Sequence, residues 1–169
     1  VELVDMRPDP AMIGALEDTS IEESKMIFET NVFGLHAMCN AVIPHMRKQH
    51  SGLILNISSI AGKVGLPYRG IYNATKHAIE GFSEALSMEL RPFNITVIIL
   101  EPGDYRTNIN TNRIIAQKAL ESTSPYFDSF KRTLGQVHEE VEMAWTPDKI
   151  AKDVERIINY KYPRLRFTS

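Results

Sequence analysis

Two short, almost unbroken apolar runs, Leu53-Ile54-Leu55-Asn56-Ile57 and Ile95-Thr96-Val97-Ile98-Ile99-Leu100, restrict the folds open to this chain more than any other feature. A strand with one wet face alternates polar and apolar side chains, whereas a strand without that alternation is covered on both faces, as in a parallel sheet. Parallel neighbours need a crossover long enough to hold a helix. Between the runs lies such a pattern, from about Gly70 to Leu90, with Ile79, Phe82, Leu86 and Leu90 on one side. Arg91-Pro92 stops it. Strand, helix and strand in that order make a βαβ unit, and the chain reads as α/β.

Other elements surround this unit. Thr19 and Ser20 followed by Glu22 and Glu23 give a double capping-box signal. Apolar residues then recur at Phe28, Val32, Leu35, Cys39, Val42 and Met46, which predicts a helix over 20–48 with its last turns distorted at Pro44 and its end at Ser51-Gly52. Thr146-Pro147-Asp148 opens a further helix through Ile150, Val154 and Ile157. The more polar stretch 103–145, with its scattered aromatics, reads as helices over a cleft. Glu2–Val4 and Leu165–Thr168 read as strand stubs, the second unfinished. So few strands leave sheet edges open, and 1–169 is expected to be a single, partial domain with further chain before residue 1.

Composition narrows the partners. With 169 residues, 43% of them hydrophobic and 24% charged, the chain is long and apolar enough for a real core. A formal net charge of -2 provides no basic field for a nucleic acid backbone, so no nucleic acid partner is expected. The single cysteine, Cys39, falls at an apolar helical position and has no disulfide partner in the chain, which points to a reducing, cytoplasmic setting. No apolar run approaches the length of a membrane span, and the first residues lack the pattern of a signal peptide. The five histidines show no metal-ligand spacing, and no metal is expected.

The chemistry gathers at one edge of the sheet. Tyr72 and Lys76 stand four apart near the start of the second helix, so both project from one face, where an ammonium can stabilise a phenolate. That spacing alone recurs by chance on many helices. Ser58 and Ser59, however, follow the first buried strand, and Glu101 to Thr107 follow the second. Both loops lie at the carboxyl edge, where α/β sheets place their ligands. A hydroxyl, a phenol and an ammonium converging there can hold a carbonyl oxygen and pass it a proton.

With these residues in place the sequence resembles the short-chain dehydrogenase/reductase family, from about Gly14 to Phe167. The family's Tyr-x-x-x-Lys stands here as Tyr72-Asn73-Ala74-Thr75-Lys76, and its serine falls thirteen residues upstream at Ser59, in Asn56-Ile57-Ser58-Ser59 before Ala61-Gly62. Asn31 matches the helix asparagine of the catalytic tetrad, and Pro102-Gly103 with Thr107 match the segment at the nicotinamide end of the cofactor. The resemblance implies a Rossmann-like, doubly wound parallel sheet and NAD or NADP as cofactor. It implies hydride transfer that interconverts a secondary alcohol and a ketone, or an alcohol and an aldehyde. Catalysis falls to Asn31, Ser59, Tyr72 and Lys76: Tyr72 exchanges the proton, Ser59 orients the oxygen, Lys76 holds the ribose and lowers the Tyr72 pKa, and Asn31 anchors a water that links the lysine to solvent. Cofactor contacts fall to Tyr72, Lys76, Pro102, Gly103 and Thr107. The implied partners are a small alcohol or carbonyl compound, of apolar character if the aromatics of 104–145 line the site, and further copies of the chain in a homodimer or homotetramer.

The resemblance fails at the amino-terminal end. The family's Thr-Gly-x-x-x-Gly-x-Gly turn is absent, and Asp5-Met6-Arg7-Pro8-Asp9-Pro10 stand where Asn-Asn-Ala-Gly should follow Leu3-Val4. The sheet is therefore expected to lack its first strands and to truncate its last, and the isolated chain is expected to hold NAD(P) very weakly. The rival expectation is a truncated, non-catalytic remnant serving as a binding or assembly module.

Overall fold

A computed structural model describes residues 10–107, 109–161 and 163–169 of the chain. The stub at Glu2–Val4 and the variant stretch Asp5 to Asp9 lie outside the described residues. In chain order the elements are β1 (Met12–Ile13), α1 (Ile21–Phe28), α2 (Gly34–Gln49), β2 (Gly52–Ile57), α3 (Gly70–Leu90) and β3 (Ile95–Glu101). There follow α4 (Ile109–Asn112), β4 (Ile114–Ile115), α5 (Phe127–Met143), α6 (Pro147–Ile158) and β5 (Arg166–Thr168).

The βαβ unit forms as expected. β2 and β3 pair in parallel from Gly52 opposite Ile95 to Ile57 opposite Leu100, and the β5 stub joins β3 in parallel, with Leu100 opposite Phe167. Both faces of this sheet are covered, which explains the missing alternation in the two runs. On one face Ile54 and Val97 meet Leu35, Cys39 and Met46 of α2 and Ile79 and Leu86 of α3. On the other, Leu55, Ile98 and Leu100 meet Phe167 and Ile157 of α6. Asn56, the one polar residue of its run, is fully buried and donates from Nδ2 to Ser83 Oγ on α3 at 2.8 Å. Its amide ties the sheet to the crossover helix.

The first helix departs from its sequence pattern. Ser20 caps it as expected: its hydroxyl accepts from Glu23 N–H, and the Glu23 carboxylate accepts from Ser20 N–H. A π-helical turn at Glu29–Phe33 then joins α1 to α2, and the buried positions are Ile27 before it and Asn31 within it, rather than Phe28 and Val32. Pro44 lies inside α2, which runs on to Gln49 and ends at His50 in the left-handed conformation (φ 53°). Ser51-Gly52 is therefore not the stop; Gly52 already belongs to β2.

The run Ile21–Gln49 is 29 residues long and by length and composition alone could cross a membrane, so the expectation that no segment approaches that length does not stand. The packing of Leu35, Cys39 and Met46 on the sheet is that of a layer helix. A third apolar cluster, not foreseen, joins Ile27 to Met12 and Ile13 of β1, Ala116, and Phe130 of α5, with β1 and β4 paired in parallel beneath it. It fastens the 109–143 segment to the rest of the fold.

Candidate active site

At the carboxyl ends of β2 and β3 a cleft of about 750 Å³ opens, lined by Ser59, Tyr72, Lys76, Pro102, Gly103 and Thr107 among others. These are six of the seven residues singled out from the sequence. The seventh, Asn31, lies behind the wall.

Each side chain is placed by local structure. Ser59, two residues beyond β2, is in extended conformation and caps a short 3-10 turn, its Oγ accepting from Ala61 N–H at 3.1 Å. Just beyond, Gly62 lies so close to α3 that a Cβ there would come within 2.7 Å of Ser58 Oγ and 3.1 Å of the Lys76 carbonyl. Only glycine allows the serine loop to rest on the helix that carries the tyrosine and lysine. Ile60 N–H donates to the Pro102 carbonyl at 3.1 Å, joining the serine loop to the loop after β3.

Lys76 is 1% exposed, and its Nζ donates to the Ile57 carbonyl at 3.1 Å. The same ammonium lies 5.6 Å from the centre of the half-buried Tyr72 ring. A buried charge of this kind is tolerated only when hydrogen-bonded. Behind the pair, Asn31 Nδ2 donates to Thr75 Oγ1 at 3.3 Å, and that hydroxyl donates to the Tyr72 carbonyl at 2.7 Å. Asn31 is held in the π-helical turn, a local distortion frequent at functional sites. Its Oδ1 is buried and has no hydrogen-bond partner among the described residues.

Thr75 was missed from the sequence. Its only signal was its place between Tyr72 and Lys76, one helical turn beyond the tyrosine. Arg69 and Arg113, which also line the cleft, were missed as well.

A cluster of nearly buried carboxylates braces the site one turn further along α3, on the face that carries Tyr72 and Lys76. Glu80 and Glu101, each with a side chain 8% exposed, share two cations: Arg166 Nε lies 3.0 Å from Glu80 Oε2, and Lys63 Nζ lies 3.1 Å from Glu101 Oε1. Lys63 follows the serine loop directly, and Arg166 comes from β5. The cluster therefore ties that loop, α3, β3 and β5 together.

The short chain dehydrogenase family model matches residues 11–118. A 3-ketodihydrosphingosine reductase from Bacteroides thetaiotaomicron is 43% identical over 153 residues, which cover 90% of this chain and 56% of that protein. A solved short-chain dehydrogenase from Streptomyces avermitilis, 30% identical, shares the fold with a TM-score of 0.81 over 96% of this chain and 57% of that one. A short-chain dehydrogenase/reductase from Burkholderia phymatum, solved in complex with NAD, is 24% identical and has the same fold, with a TM-score of 0.78 over 94% of this chain and 58% of that one. The chain spans little more than half the length of these relatives. Its own parallel sheet is an incomplete form of the Rossmann-like sheet of these folds, and it belongs to the short-chain dehydrogenase/reductase family.

Proposed function

We propose that this chain is the catalytic part of an NAD(P)-dependent oxidoreductase that interconverts a secondary alcohol and a ketone, or an alcohol and an aldehyde. The observation that carries the reading is the convergence of Ser59, Tyr72 and Lys76 on one cleft, with the lysine ammonium anchored beside the phenol.

The residues present suit a nicotinamide and its ribose: a buried ammonium and a phenol on one wall, and the Pro102 to Thr107 loop on another. Lys76 and Tyr72 would hold the ribose hydroxyls, with Pro102, Gly103 and Thr107 around the nicotinamide. When bound, the cofactor supplies or takes up the hydride. In the direction of reduction, Ser59 Oγ donates a hydrogen bond to the substrate oxygen and Tyr72 gives it a proton. The Lys76 ammonium stabilises the negative charge that develops on the phenol oxygen as that proton leaves. Asn31, through its unmatched Oδ1, would accept from a water that brings a proton from solvent to the lysine, to replace the one Tyr72 has given up. In oxidation each transfer reverses.

The substrate is a small alcohol or carbonyl compound with an apolar portion, which Met12, Val141 and Ile150 of the lining would cover. The lone, buried Cys39 supports the cytoplasm as its compartment. The non-catalytic module remains the rival reading, and the retained Asn31, Ser59, Tyr72 and Lys76 weigh against it. Oxidation of NADH and NADPH by a panel of ketones, followed in the complete polypeptide that contains this chain, is the test. Turnover that disappears in Tyr72→Phe supports the enzyme reading, and a panel without any Tyr72-dependent turnover sinks it.

A further inference from the structure

The described lining of the cleft carries more positive than negative charge. Among its described lining residues Arg69, Lys76 and Arg113 are cationic, and Asp104 alone is anionic. The proton chemistry above uses Lys76 and leaves both guanidinium groups unexplained.

Arg69 is the N-cap of α3, three residues before Tyr72 and therefore one helical turn from it. Arg113 enters the same cleft from the residue between α4 and β4. Its Nη1 is buried and has no hydrogen-bond partner among the described residues. Burial, and next the charge of Arg69, hold its proton affinity below the ordinary arginine value, while Asp104 acts in the opposite sense. A buried guanidinium nitrogen without an acceptor is costly, and a second cation nearby raises the cost. An anion between the two relieves both, since the planar fork of arginine matches a carboxylate or phosphate in two parallel hydrogen bonds.

We propose that Arg69 and Arg113 form a subsite for an anionic group, a carboxylate or phosphate, carried by the carbonyl substrate at a distance from the oxygen that meets Ser59 and Tyr72. The substrate is then amphipathic, its apolar body lying between the reacting carbonyl and an acidic end. This assignment rests on the oxidoreductase reading of the same cleft.

The test uses the complete polypeptide and three ketones matched in length: levulinate, its methyl ester and a trimethylammonium analogue. The expected order of kcat/KM is carboxylate, ester, cation, with carboxylate over ester by about 10- to 100-fold, the value of one charge-assisted hydrogen bond. Arg69→Gln and Arg113→Gln should each bring the carboxylate-to-ester ratio towards one. Equal turnover of all three, or a preference for the cation, overturns the subsite and leaves the redox reading standing. Variants that weaken NADH or NADPH binding in calorimetry without moving the ratio assign the anion to the cofactor phosphate and also overturn it. Should no ketone be reduced, the redox reading fails by itself, and calorimetry of levulinate against its ester decides the subsite. Arginine-dependent binding of the acid alone supports it, and equal binding of acid and ester ends it.

Discussion

Lys76 Nζ donates to the Ile57 carbonyl at 3.1 Å, so the buried ammonium at the cleft is fastened to the last residue of the strand that leads to Ser59. The carbonyl at the end of β2 thus sets where the charge sits relative to the Tyr72 ring. Replacing Lys76 by methionine keeps the apolar stem and leaves that carbonyl without this donor. We expect a loss of about 1–3 kcal/mol in urea unfolding together with loss of turnover. Tyr72→Phe, by contrast, should lower turnover by about 10²- to 10⁴-fold while the urea midpoint moves little. Equal behaviour of the two variants in both measurements would count against separate structural and chemical roles.

Thr75 links the π-helical turn to the tyrosine. Thr75→Val retains its shape but removes the acceptor for Asn31 Nδ2 and the bond to the Tyr72 carbonyl. Asn31 Nδ2 then keeps the long, 3.5 Å hydrogen bond to the Pro10 carbonyl as its remaining partner among the described residues, and the expected cost is about 1–2 kcal/mol. Thermal or urea unfolding of the variant measures it, and an unchanged midpoint would show that the hydrogen bond contributes nothing.

Arg166 is the most connected cation of the buried cluster, lying 3.0 Å from Glu80, 3.3 Å from Glu84 and 3.6 Å from Glu101. Because its side chain is 31% exposed, water screens part of the interaction. Arg166→Met leaves two nearly buried carboxylates with Lys63 as their remaining partner in the cluster, and we expect a loss of about 1–3 kcal/mol, below the range for a fully buried pair. Adding Glu80→Gln to that variant should recover part of the loss, as a double-mutant cycle would read.

Burial pushes the Cys39 thiol up to about 11 from its ordinary value of 9.0. The native protein should therefore resist iodoacetamide near pH 8 and react on unfolding, as mass spectrometry of labelled protein would record. Because the folded value is the raised one, the unfolded chain releases its thiol proton first. The contribution of Cys39 is fully present below about pH 9 and is lost as pH rises towards 11. Cys39→Ala should flatten that part of the stability profile. Rapid labelling of the native protein would contradict the burial on which this rests.

Much of this architecture could be read from residue order because its main elements are long and strongly patterned. β2, α3 and β3 fall within a residue or two of their sequence limits, and six of the seven site residues line one cleft. What escaped was too short or too local to leave a pattern. β1 and β4 have two residues each and exist through the tertiary contacts of Ile13 and Ala116. His50, rather than the glycine usual at such a position, ends α2 in the left-handed region, where its N–H donates to the Arg47 carbonyl and its carbonyl accepts from Asn94 Nδ2. Arg69 and Arg113 are 44 positions apart and carry no shared spacing. Only folding brings them to one cleft.

The π-helical turn at Glu29–Phe33 also has a consequence for the long helix as a mechanical part. Ile27 belongs to the core beneath β1, and Cys39, twelve residues on, belongs to the core on β2. At 3.6 residues per turn, twelve residues are about 3.3 turns, which would point the two side chains about a third of a revolution apart. The wide turn absorbs one residue, and the remaining eleven make about 3.1 turns. The bulge acts as a phase corrector, letting one rod present a single edge to two separate cores, with Asn31 carried inward at the point of correction.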